Sequence, residues 1–414
     1  MKASWPLKTL GELTENFDSL RVPVKEADRR PGPYPYYGAS GVVDYVDNFI
    51  FDGEYLLIAE DGENLRTRRT PIAFMATGKF WVNNHAHIVR ANNIAITRFL
   101  MYALRIADVQ AYLTGSTMPK LTQANLNRIP VLAPPRYFQE GIAHILGTLD
   151  HKIELNRRMN QTLEEMARAV FKSWFVDFDP VRSKAEGREP VGMDAETTAL
   201  FPEKFENSEL GAIPKGWRIE PLDSIADFRN GLALQRYRPA DGEERLPVVK
   251  IAQLRTGQPD SGEWATSRID PQCILDDGDV VFSWSGSLLV VLWSGGHAAL
   301  NQHLFKVTSN LYPKWFYLHW LLQHLPEFER IAADKATTMG HIRRHHLTQA
   351  KCVSPDSDLL RVATRYFEPL VEAQVRNNLQ SRTLIDLRDT LLPKLLSGEL
   401  RIASPDKFLE EQLS

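Results

Sequence analysis

Two long stretches of the chain carry apolar residues at alternating spacings of three and four positions. In the first stretch the positions are Ile142, Ile145, Leu149, Asn156, Met159, Leu163, Met166 and Val170. In the second they are Ala363, Tyr366, Leu370, Asn377, Gln380, Leu384, Leu387 and Leu391. This spacing is typical of the contact face of a coiled coil. It predicts helices over residues 136–175 and 356–400, and roughly 38 helical residues in the first, at about 1.5 Å each, give a length of about 57 Å.

The two helices belong to a repeat that spans the chain. Residues 117–175 align without a gap to residues 338–396, so Thr117 matches Thr338 and Asn156 matches Asn377. Upstream, Trp5 matches Trp217 at the start of each copy. The copies are diverged, and each is far longer than one solenoid repeat. The sequence therefore predicts two domains of ordinary size, each followed by a helix.

Each helix needs a partner for its apolar face, and the closest candidate is the other helix. Tandem copies in one chain can pack antiparallel about a pseudo-twofold axis. The second helix has a cap-and-proline start at Ser354–Ser357, and Gly398 can take the left-handed conformation that ends a helix. The residues predicted to form the coiled-coil or subunit interface are Leu149, Asn156, Leu163, Met166, Leu370, Asn377, Leu384 and Leu387.

Asn156 and Asn377 are polar residues at the same position of the two apolar faces. One interpretation is a solvated pair where the helix contact is loose. The other is a buried polar position that fixes the register of the helices at some cost in stability.

Composition narrows the class of protein without naming a function. The chain has 414 residues, of which 43% are hydrophobic, and only two cysteines. These values predict a soluble cytoplasmic protein without a disulfide framework, and the amino terminus has no apolar signal segment. The net charge is −3, and residues 1–135 carry 15 basic against 13 acidic side chains. Such a balance argues against a non-specific nucleic-acid binder, so DNA contacts would need local loops or a partner that supplies positive charge.

Two short basic runs could provide such loops. Arg66–Arg69 lies in the first copy, and His341–His346 lies in the second, after Thr338. A solvated surface is the alternative for each run, but small hydroxylated residues beside a basic residue also suit phosphate oxygens. The candidate DNA-binding residues are Arg66, Arg68, Arg69, Asn84, His85, Thr117, Lys120, Asn301, Gln302, His303, Thr338, His341, Arg343 and Arg344.

The sequence contains no motif that predicts catalysis or a metal site. It lacks a phosphate-binding G-x-x-x-x-G-K-[ST] loop and the Asn-Pro-Pro-aromatic motif of adenine methylation. Asp150 and Lys152 have a nuclease-like spacing but lie on the predicted helix, where an exposed face explains them better. His85 and His87, like His341 and His345, have no cysteine or acidic residue nearby in sequence, so no metal is expected.

Several segments resemble one protein family. They are LNRIPVLAPP at 126–135, IAHILGTLDHKIELNRRMNQTL at 142–163, FKSWFVDFDP at 171–180, GAIPKGW at 211–217 and LLPKLLSGEL at 391–400. Together they resemble the helices, linker and carboxyl end of type I restriction–modification specificity subunits. YYGASG at 36–41 and FDGE at 51–54 resemble a target recognition domain of that family. The stretch 136–140 departs from the family's usual acidic-Gln-basic helix start.

The resemblance implies an α+β fold in which two target recognition domains, each a mixed sheet with helices, are joined by two long antiparallel coiled-coil helices. The implied segments are recognition domain 1 (1–135), first helix (136–175), linker (176–205), recognition domain 2 (206–355), second helix (356–400) and carboxyl-terminal tail (401–414).

The resemblance also implies a non-catalytic subunit that recognises a bipartite double-stranded DNA site. Expected partners are two methyltransferase subunits, which use S-adenosylmethionine, and endonuclease/translocase subunits, which use ATP and Mg. The helices would set the distance between the two recognition domains. Two other classes stay open: a coiled-coil adaptor that does not read DNA, and a degenerate methyltransferase or nuclease.

Overall fold

The computed structural model describes residues 5–334 and 340–402, except for the side chains of 260 and 261. The chain divides into two compact units. Unit 1 comprises Met1–Ile153 and Leu384–Ser414, and unit 2 comprises Glu154–Thr383. The boundary cuts both long helices, so each unit holds the beginning of one helix and the end of the other.

Unit 1 is built on a six-stranded mixed sheet in the order β2-β7-β5-β6-β3-β4, with β1 and β8 paired separately. Its strands are β1 Leu7–Thr9, β2 Glu15–Asn16, β3 Pro31–Gly38, β4 Gly41–Val46, β5 Phe51–Ala59, β6 Ala73–Val82, β7 Ala86–Arg90 and β8 Pro130–Leu132. Its complete helices are α1 Leu10–Leu13, α2 Asn64–Thr67, α3 Ile94–Ile106 and α4 Gln123–Asn127.

The main core of unit 1 lies between the sheet and its helices. Helix α3 begins after Asn93, whose side chain accepts a hydrogen bond from the Ala95 amide, and it buries Phe99, Leu100 and Leu104. This cluster also contains Ile142 and Leu146 from the start of α5 (Arg136–Phe175). The end of the last helix, α12 (Ser357–Ser397), completes it with Leu392, Leu395 and Leu396.

Unit 2 has two four-stranded sheets, β12-β19-β16-β17 and β14-β13-β18-β15, and two separate pairs, β9–β10 and β11–β20. Its strands are β9 Phe205–Ser208, β10 Gly211–Pro214, β11 Arg218–Pro221, β12 Asp227–Asn230, β13 Arg245–Val249, β14 Asp260–Thr266, β15 Ile274–Leu275, β16 Val280–Ser283, β17 Leu289–Leu292, β18 Ala298–Leu300, β19 Leu304–Thr308 and β20 Lys351–Ser354. Its complete helices are α6 Asp179–Ala185, α7 Ala195–Leu200, α8 Leu222–Ile225, α9 Ile251–Thr256, α10 Lys314–Asp334 and α11 Arg344–Gln349.

The two units share their pattern of strand pairing. In unit 1, β5 pairs antiparallel with β6 and β7, and β3 pairs parallel with β6. In unit 2, β16 pairs antiparallel with β17 and β19, while β13 pairs parallel with β18. The strand equivalent to β6 is therefore split into β17 and β18. Gly296, with φ of +80°, lies in the break, which explains why one sheet in unit 1 corresponds to two in unit 2.

The segment predicted as a linker, 176–205, is part of the core of unit 2. Phe178 packs edge-on against Trp217 with ring centroids 5.7 Å apart, and Phe201 lies 6.2 Å from the same ring. Helices α6 and α7 also lie in this segment, so it is a folded part of unit 2.

The two long helices run antiparallel to each other within each unit. In unit 2, Asn156 donates to the side chain of Gln380, while Asn160, further along α5, donates to the earlier residue Asn378. In unit 1, Arg388 pairs with Asp150 at 2.7 Å. Asp356 caps α12 by accepting a hydrogen bond from the Leu359 amide, and Gly398 has φ of +73°. The predicted fold class, α+β with mixed sheets and two long helices, is confirmed.

The apolar face predicted for these helices is only partly buried. Met166 is 52% exposed and Leu387 is 44% exposed, so neither lies in the contact between the helices. Ala167, fully buried, takes the place expected for Met166. A straight helix drifts by about 20° per heptad relative to a strict seven-residue repeat, so a long heptad stripe rotates out of the contact. Leu149, Leu163, Leu370, Asn377 and Leu384 are half-buried.

Among the helices of the described residues, none is long and apolar enough to cross a membrane.

Candidate nucleic-acid interface

In unit 1 a loop that follows β5 is held by two other segments of the chain. The Glu60 amide donates to the His85 carbonyl at 2.9 Å, and the Leu121 amide donates to the Glu60 carbonyl at 2.7 Å. The Gly62 amide donates to the Pro119 carbonyl at 3.2 Å, and Asp61 forms an isolated antiparallel bridge with Lys120. Residues far apart in sequence thus meet at one edge of the sheet.

Unit 2 repeats these contacts after β16. The Trp284 amide donates to the His303 carbonyl at 3.4 Å, and the Ile342 amide donates to the Trp284 carbonyl at 3.0 Å. The Gly286 amide donates to the Gly340 carbonyl at 2.8 Å, and Ser285 forms an antiparallel bridge with His341. Because each of these four backbone contacts has its counterpart, the two loops have similar architectures.

We call the five matched positions the loop frame. In unit 1 they are Glu60, Asp61, Asn84, His85 and Lys120. In unit 2 they are Trp284, Ser285, Gln302, His303 and His341.

The histidine of each frame is oriented in the same way. The His85 amide donates to the side chain of Asn83 at 2.8 Å, and the His303 amide donates to that of Asn301 at 3.2 Å. Nδ1 of His85 lies 2.7 Å from Oδ2 of Asp61, and Nδ1 of His303 lies 3.1 Å from Oγ of Ser285. Nδ1 is engaged in both cases, so Nε2 of His85 is the ring nitrogen that can contact a ligand, whereas Nε2 of His303 also lies 3.4 Å from the side-chain amide nitrogen of Gln302.

Behind the frame of unit 1 lies a paired cluster of charged groups. His87 is buried, with Nδ1 2.5 Å from Asp18 and Nε2 2.7 Å from the Leu121 carbonyl. Arg21 pairs with Glu60 at 2.7 Å, and Lys120 pairs with the same carboxylate at 3.2 Å.

These contacts set the ionisation of the two carboxylates. Burial by itself raises the pKa of Asp18, but the hydrogen bond and charge of His87 and the Ile88 amide outweigh it, so the pKa is lowered. Burial also acts to raise the pKa of Glu60, and Arg21, His87 and Lys120 together lower it. Both groups are therefore ionised at neutral pH.

Asp18, Glu60 and His87 are close enough to share a metal ion, with ligand atoms within 4.8 Å of one another. The negative charge of this cluster is already balanced by Arg21 and Lys120. Both ring nitrogens of His87 also have partners. A cation entering this cluster would have to displace those contacts. The arrangement suits a structural ion-pair network better than a metal centre.

Behind the frame of unit 2 the corresponding space is aromatic. The Trp284 ring lies 5.8 Å from that of His303, 5.9 Å from Phe305 and 6.4 Å from His341. Arg344 lies 5.5 Å above the Phe305 ring and donates to the Phe228 carbonyl at 3.1 Å. The same backbone frame thus presents a charged surface in one unit and an aromatic one in the other.

The structure brings several predicted site residues together and separates others. Arg66 reaches the carbonyls of Gly115 and Ser116, which places it beside Thr117 and Lys120. Asn84, Thr117, Arg69 and Arg343 are exposed. Asn301 is 3% exposed and supports the turn before His303. Thr338 lies outside the described residues.

Arg68 has a different position from the one expected. It is half-buried, and its guanidinium donates to the carbonyls of Leu104, Arg105 and Ala107 at the end of α3. Since the last carbonyls of a helix have no partners within it, Arg68 supplies a cap. This contact removes Arg68 from the candidate interface.

Asp150 is also not on an exposed helix face as expected. It accepts hydrogen bonds from the Tyr102 hydroxyl at 2.6 Å and from Arg388 at 2.7 Å. These contacts hold unit 1 together and leave the carboxylate no room for nuclease chemistry.

Sequence reasoning missed Glu60, Asp61, Trp284 and Ser285. A signal was present, because Glu60-Asp61-Gly62 and Trp284-Ser285-Gly286 each directly follow an apolar strand of the repeat. Extending the alignment of the two copies through these glycines would have paired the four residues.

Comparison with known proteins finds similarity to one group of proteins. The family model described as "Type I restriction modification DNA specificity domain" matches residues 2–165. The type I restriction enzyme MjaIX specificity subunit of Methanocaldococcus jannaschii is 24% identical over 96% of this chain and 94% of its own length. The EcoDI specificity subunit of Escherichia coli is 23% identical over 98% and 92%.

Among solved structures, the S subunit of a type I restriction–modification system from M. genitalium has a similar fold. Its TM-score is 0.55 at 14% identity, covering 94% of this chain and 96% of that one. The chain is thus similar along nearly its whole length to type I restriction enzyme specificity subunits, and its first 165 residues match the specificity-domain model of these systems.

Proposed function

We propose that this chain is the non-catalytic DNA-specificity subunit of a type I restriction–modification complex and that it recognises a bipartite double-stranded DNA site. The observation that supports this function is the loop frame, which is present in both units with matching backbone contacts and with polar side chains, of which Asn84, His85 and Lys120 are exposed. Two matched surfaces that carry different side chains suit a site with two different halves.

Each half of the site would be read by one unit in the major groove. Base edges there present a distinct pattern of hydrogen-bond donors and acceptors for every base pair. Amide, imidazole and ammonium groups at the frame, such as Gln302, His303 and Lys120, have the chemistry to contact base edges or phosphates. The net charge of −3 is too low for strong binding through phosphates alone, so partner subunits would contribute to affinity.

The proposed partners are two methyltransferase subunits and the endonuclease/translocase subunits. The long helices offer a surface for them, because α5 exposes Leu155, Met159 and Met166 at positions that share one helix face. Exposed apolar groups in such a row are typical of protein contacts. S-adenosylmethionine would be bound by the methyltransferase partner, and ATP and Mg by the endonuclease partner.

Methylated-base sequencing of host DNA tests the function directly. Cells that contain the methyltransferase partner with this chain should show methylation at one two-part sequence with a fixed spacer. Cells that contain the methyltransferase partner alone are the control and should lack that pattern. An identical methylation pattern in both strains would exclude a specificity function.

Two other classes make different predictions in the same system. An adaptor that does not read DNA would assemble the complex, yet the complex would bind all duplexes equally at every salt concentration. A degenerate methyltransferase or nuclease would modify or cut DNA as a purified single chain. Turnover assays on that chain therefore separate an enzyme from a specificity subunit.

A further inference from the structure

The two loop frames have the same backbone but different side chains. Glu60 corresponds to Trp284, Asp61 to Ser285, Asn84 to Gln302 and Lys120 to His341, whereas His85 and His303 are identical. A constant scaffold keeps each side chain in the same place relative to its unit. Replacing a side chain there changes the chemistry presented without changing the geometry.

The residue that holds the histidine differs in a way that affects recognition. The Asp61 carboxylate accepts hydrogen bonds, so Nδ1 of His85 is the donor in that contact. The Ser285 hydroxyl can donate or accept, so this contact alone does not fix the tautomer of His303, whose Nε2 also lies 3.4 Å from the side-chain amide nitrogen of Gln302. The imidazole is therefore held by a carboxylate in unit 1, and by a hydroxyl and a side-chain amide in unit 2.

The second varying position differs in charge and shape. Lys120 presents an ammonium with three donors that lies 3.2 Å from the Glu60 carboxylate, and its side chain is 52% exposed. His341, at the same place in unit 2, has a planar ring beside Trp284. The pair Asp61 and Lys120 and the pair Ser285 and His341 thus present different hydrogen-bonding patterns around a common histidine.

We propose that positions 61 and 120 in unit 1, and 285 and 341 in unit 2, determine which bases each unit recognises, and that His85 and His303 supply the contact common to both half-sites. This inference rests on the proposed function, since it assigns the specificity of that function to four side chains. It predicts that specificity can be transferred between the units without moving a loop.

The test exchanges the side chains between frames in the full-length chain, assembled with its methyltransferase partner. One variant carries Asp61→Ser and Lys120→His, and its reciprocal carries Ser285→Asp and His341→Lys. The matched control carries Asp52→Ser and Lys79→His, which makes the same changes at two exposed residues on β5 and β6 outside the frame. Each complex selects from a duplex library randomised at the half-site positions found for the wild type.

We expect the first variant to change base preference in one half-site only, and the reciprocal variant in the other half-site only. The change should be at least about five-fold at one base pair, the lower end of the discrimination given by a good side-chain contact to a base. The control should keep the wild-type preference at every position.

Two results would overturn the inference. One is an unchanged preference in both exchange variants. The other is weaker binding to all sequences alike, because a phosphate contact affects every duplex equally. If a double variant fails to assemble, the single changes Asp61→Asn and Lys120→Arg replace it and are judged in the same way. A wild-type complex without any sequence preference would instead refute the proposed function itself.

Discussion

Asp150 shows how the chemistry of one residue is decided by its surroundings. Its neighbours Tyr102 and Arg388 are otherwise buried or half-buried, and each gives it a hydrogen bond. Burial raises the pKa of Tyr102, and the charge of Asp150 and the hydrogen bond to it raise it further. The phenol therefore stays a donor, and the carboxylate holds α3 and both long helices within unit 1.

Removing that carboxylate should destabilise the protein more than removing its exposed neighbour. We expect Asp150→Ala to lower the free energy of unfolding by about 2 kcal/mol, because two poorly solvated donors lose their acceptor. Asp389→Ala removes the other acid that pairs with Arg388, but its side chain is 55% exposed, and the change should be below about 1 kcal/mol. Urea unfolding of the two variants measures the difference, and equal effects would contradict this role for Asp150.

His319 is the residue most affected by burial in unit 2. Its ring stacks on Phe171 at 5.2 Å, and its Nδ1 lies 2.6 Å from the Trp315 carbonyl. Burial, against the opposing effect of the Trp315 carbonyl, lowers the pKa of His319 to about 4. The unfolded chain, where the usual value is about 6.5, binds the proton more readily.

Stability should therefore depend on pH through His319. The contribution is fully present above about pH 6.5 and is lost as the pH falls toward 4, since protons favour the unfolded state in that window. Between pH 7 and pH 5 the loss amounts to about 2 kcal/mol. His319→Gln should reduce the difference in unfolding free energy between these pH values by that amount. His297→Gln, at a histidine whose side chain is 76% exposed, is the control, and His319→Gln should have the larger effect on the difference.

At the scale of elements, the long helices were predictable because their signals are local. Apolar periodicity, the Asp356 cap and Gly398 all lie within the helix or next to it. The side chains that face the partner helix were harder to predict, since the drift of the helix turns Met166 and Leu387 away. The loop frame depends on contacts between residues as distant as Glu60 and Leu121, and the capping role of Arg68 depends on α3. Because these contacts join residues that are distant in sequence, neither the loop frame nor the role of Arg68 could be predicted from local sequence.

The two asparagines of α5 that lie between the helices, Asn156 and Asn160, differ in how completely their side chains are hydrogen-bonded. Asn156 is 1% exposed and donates to Gln380, Ser381 and the Asn377 carbonyl, but its Oδ1 has no partner among the described residues. Asn160 donates to Asn378 and to the Gln374 carbonyl, and it accepts a hydrogen bond from Asn377. Only Asn160 uses both ends of its amide.

Opposite effects on stability should follow from substituting these two residues. Asn156→Leu removes an unpaired buried oxygen and adds apolar contact, so the free energy of unfolding should rise by about 1 kcal/mol. Asn160→Leu deprives three groups of their partner and should lower it by about 1–2 kcal/mol. Thermal unfolding of both variants measures the two changes in stability. A loss of stability in both would show that Asn156 is a net stabilising contact.

On the scale of the whole molecule, the two units share their helices reciprocally. The start of α5 contributes Ile142 and Leu146 to the core of unit 1, and the end of α12 contributes Leu392, Leu395 and Leu396 to the same core. Each such side chain stabilises the core by roughly 1.5–3 kcal/mol when fully buried. Unit 1 is therefore incomplete without the last part of α12.

A chain that ends at residue 205 should replace the missing helix with a second copy of itself. We expect a dimer, since Ile142 and Leu146 would otherwise face water, and with the methyltransferase partner the dimer should modify a palindromic site built from one half-site. Light scattering measures the mass, and methylated-base sequencing gives the site. Leu146→Asp should prevent pairing, whereas Leu155→Asp, at an exposed position, should not. A monomer that still directs modification to the full two-part site would contradict the reciprocal arrangement.

Because the units share their helices, the core of unit 1 can be completed only late in the synthesis of the chain. Residues up to Ile153 leave the ribosome first, but the segment from Leu384 that completes their core is made roughly 230 residues later. At about 5–20 residues per second, this interval lasts about 10–50 s. Throughout it, the apolar surface around Ile142 and Leu146 is open to chaperones and proteases. The rate of translation, and any pause in the second half of the message, therefore sets how much of the nascent chain survives to be completed.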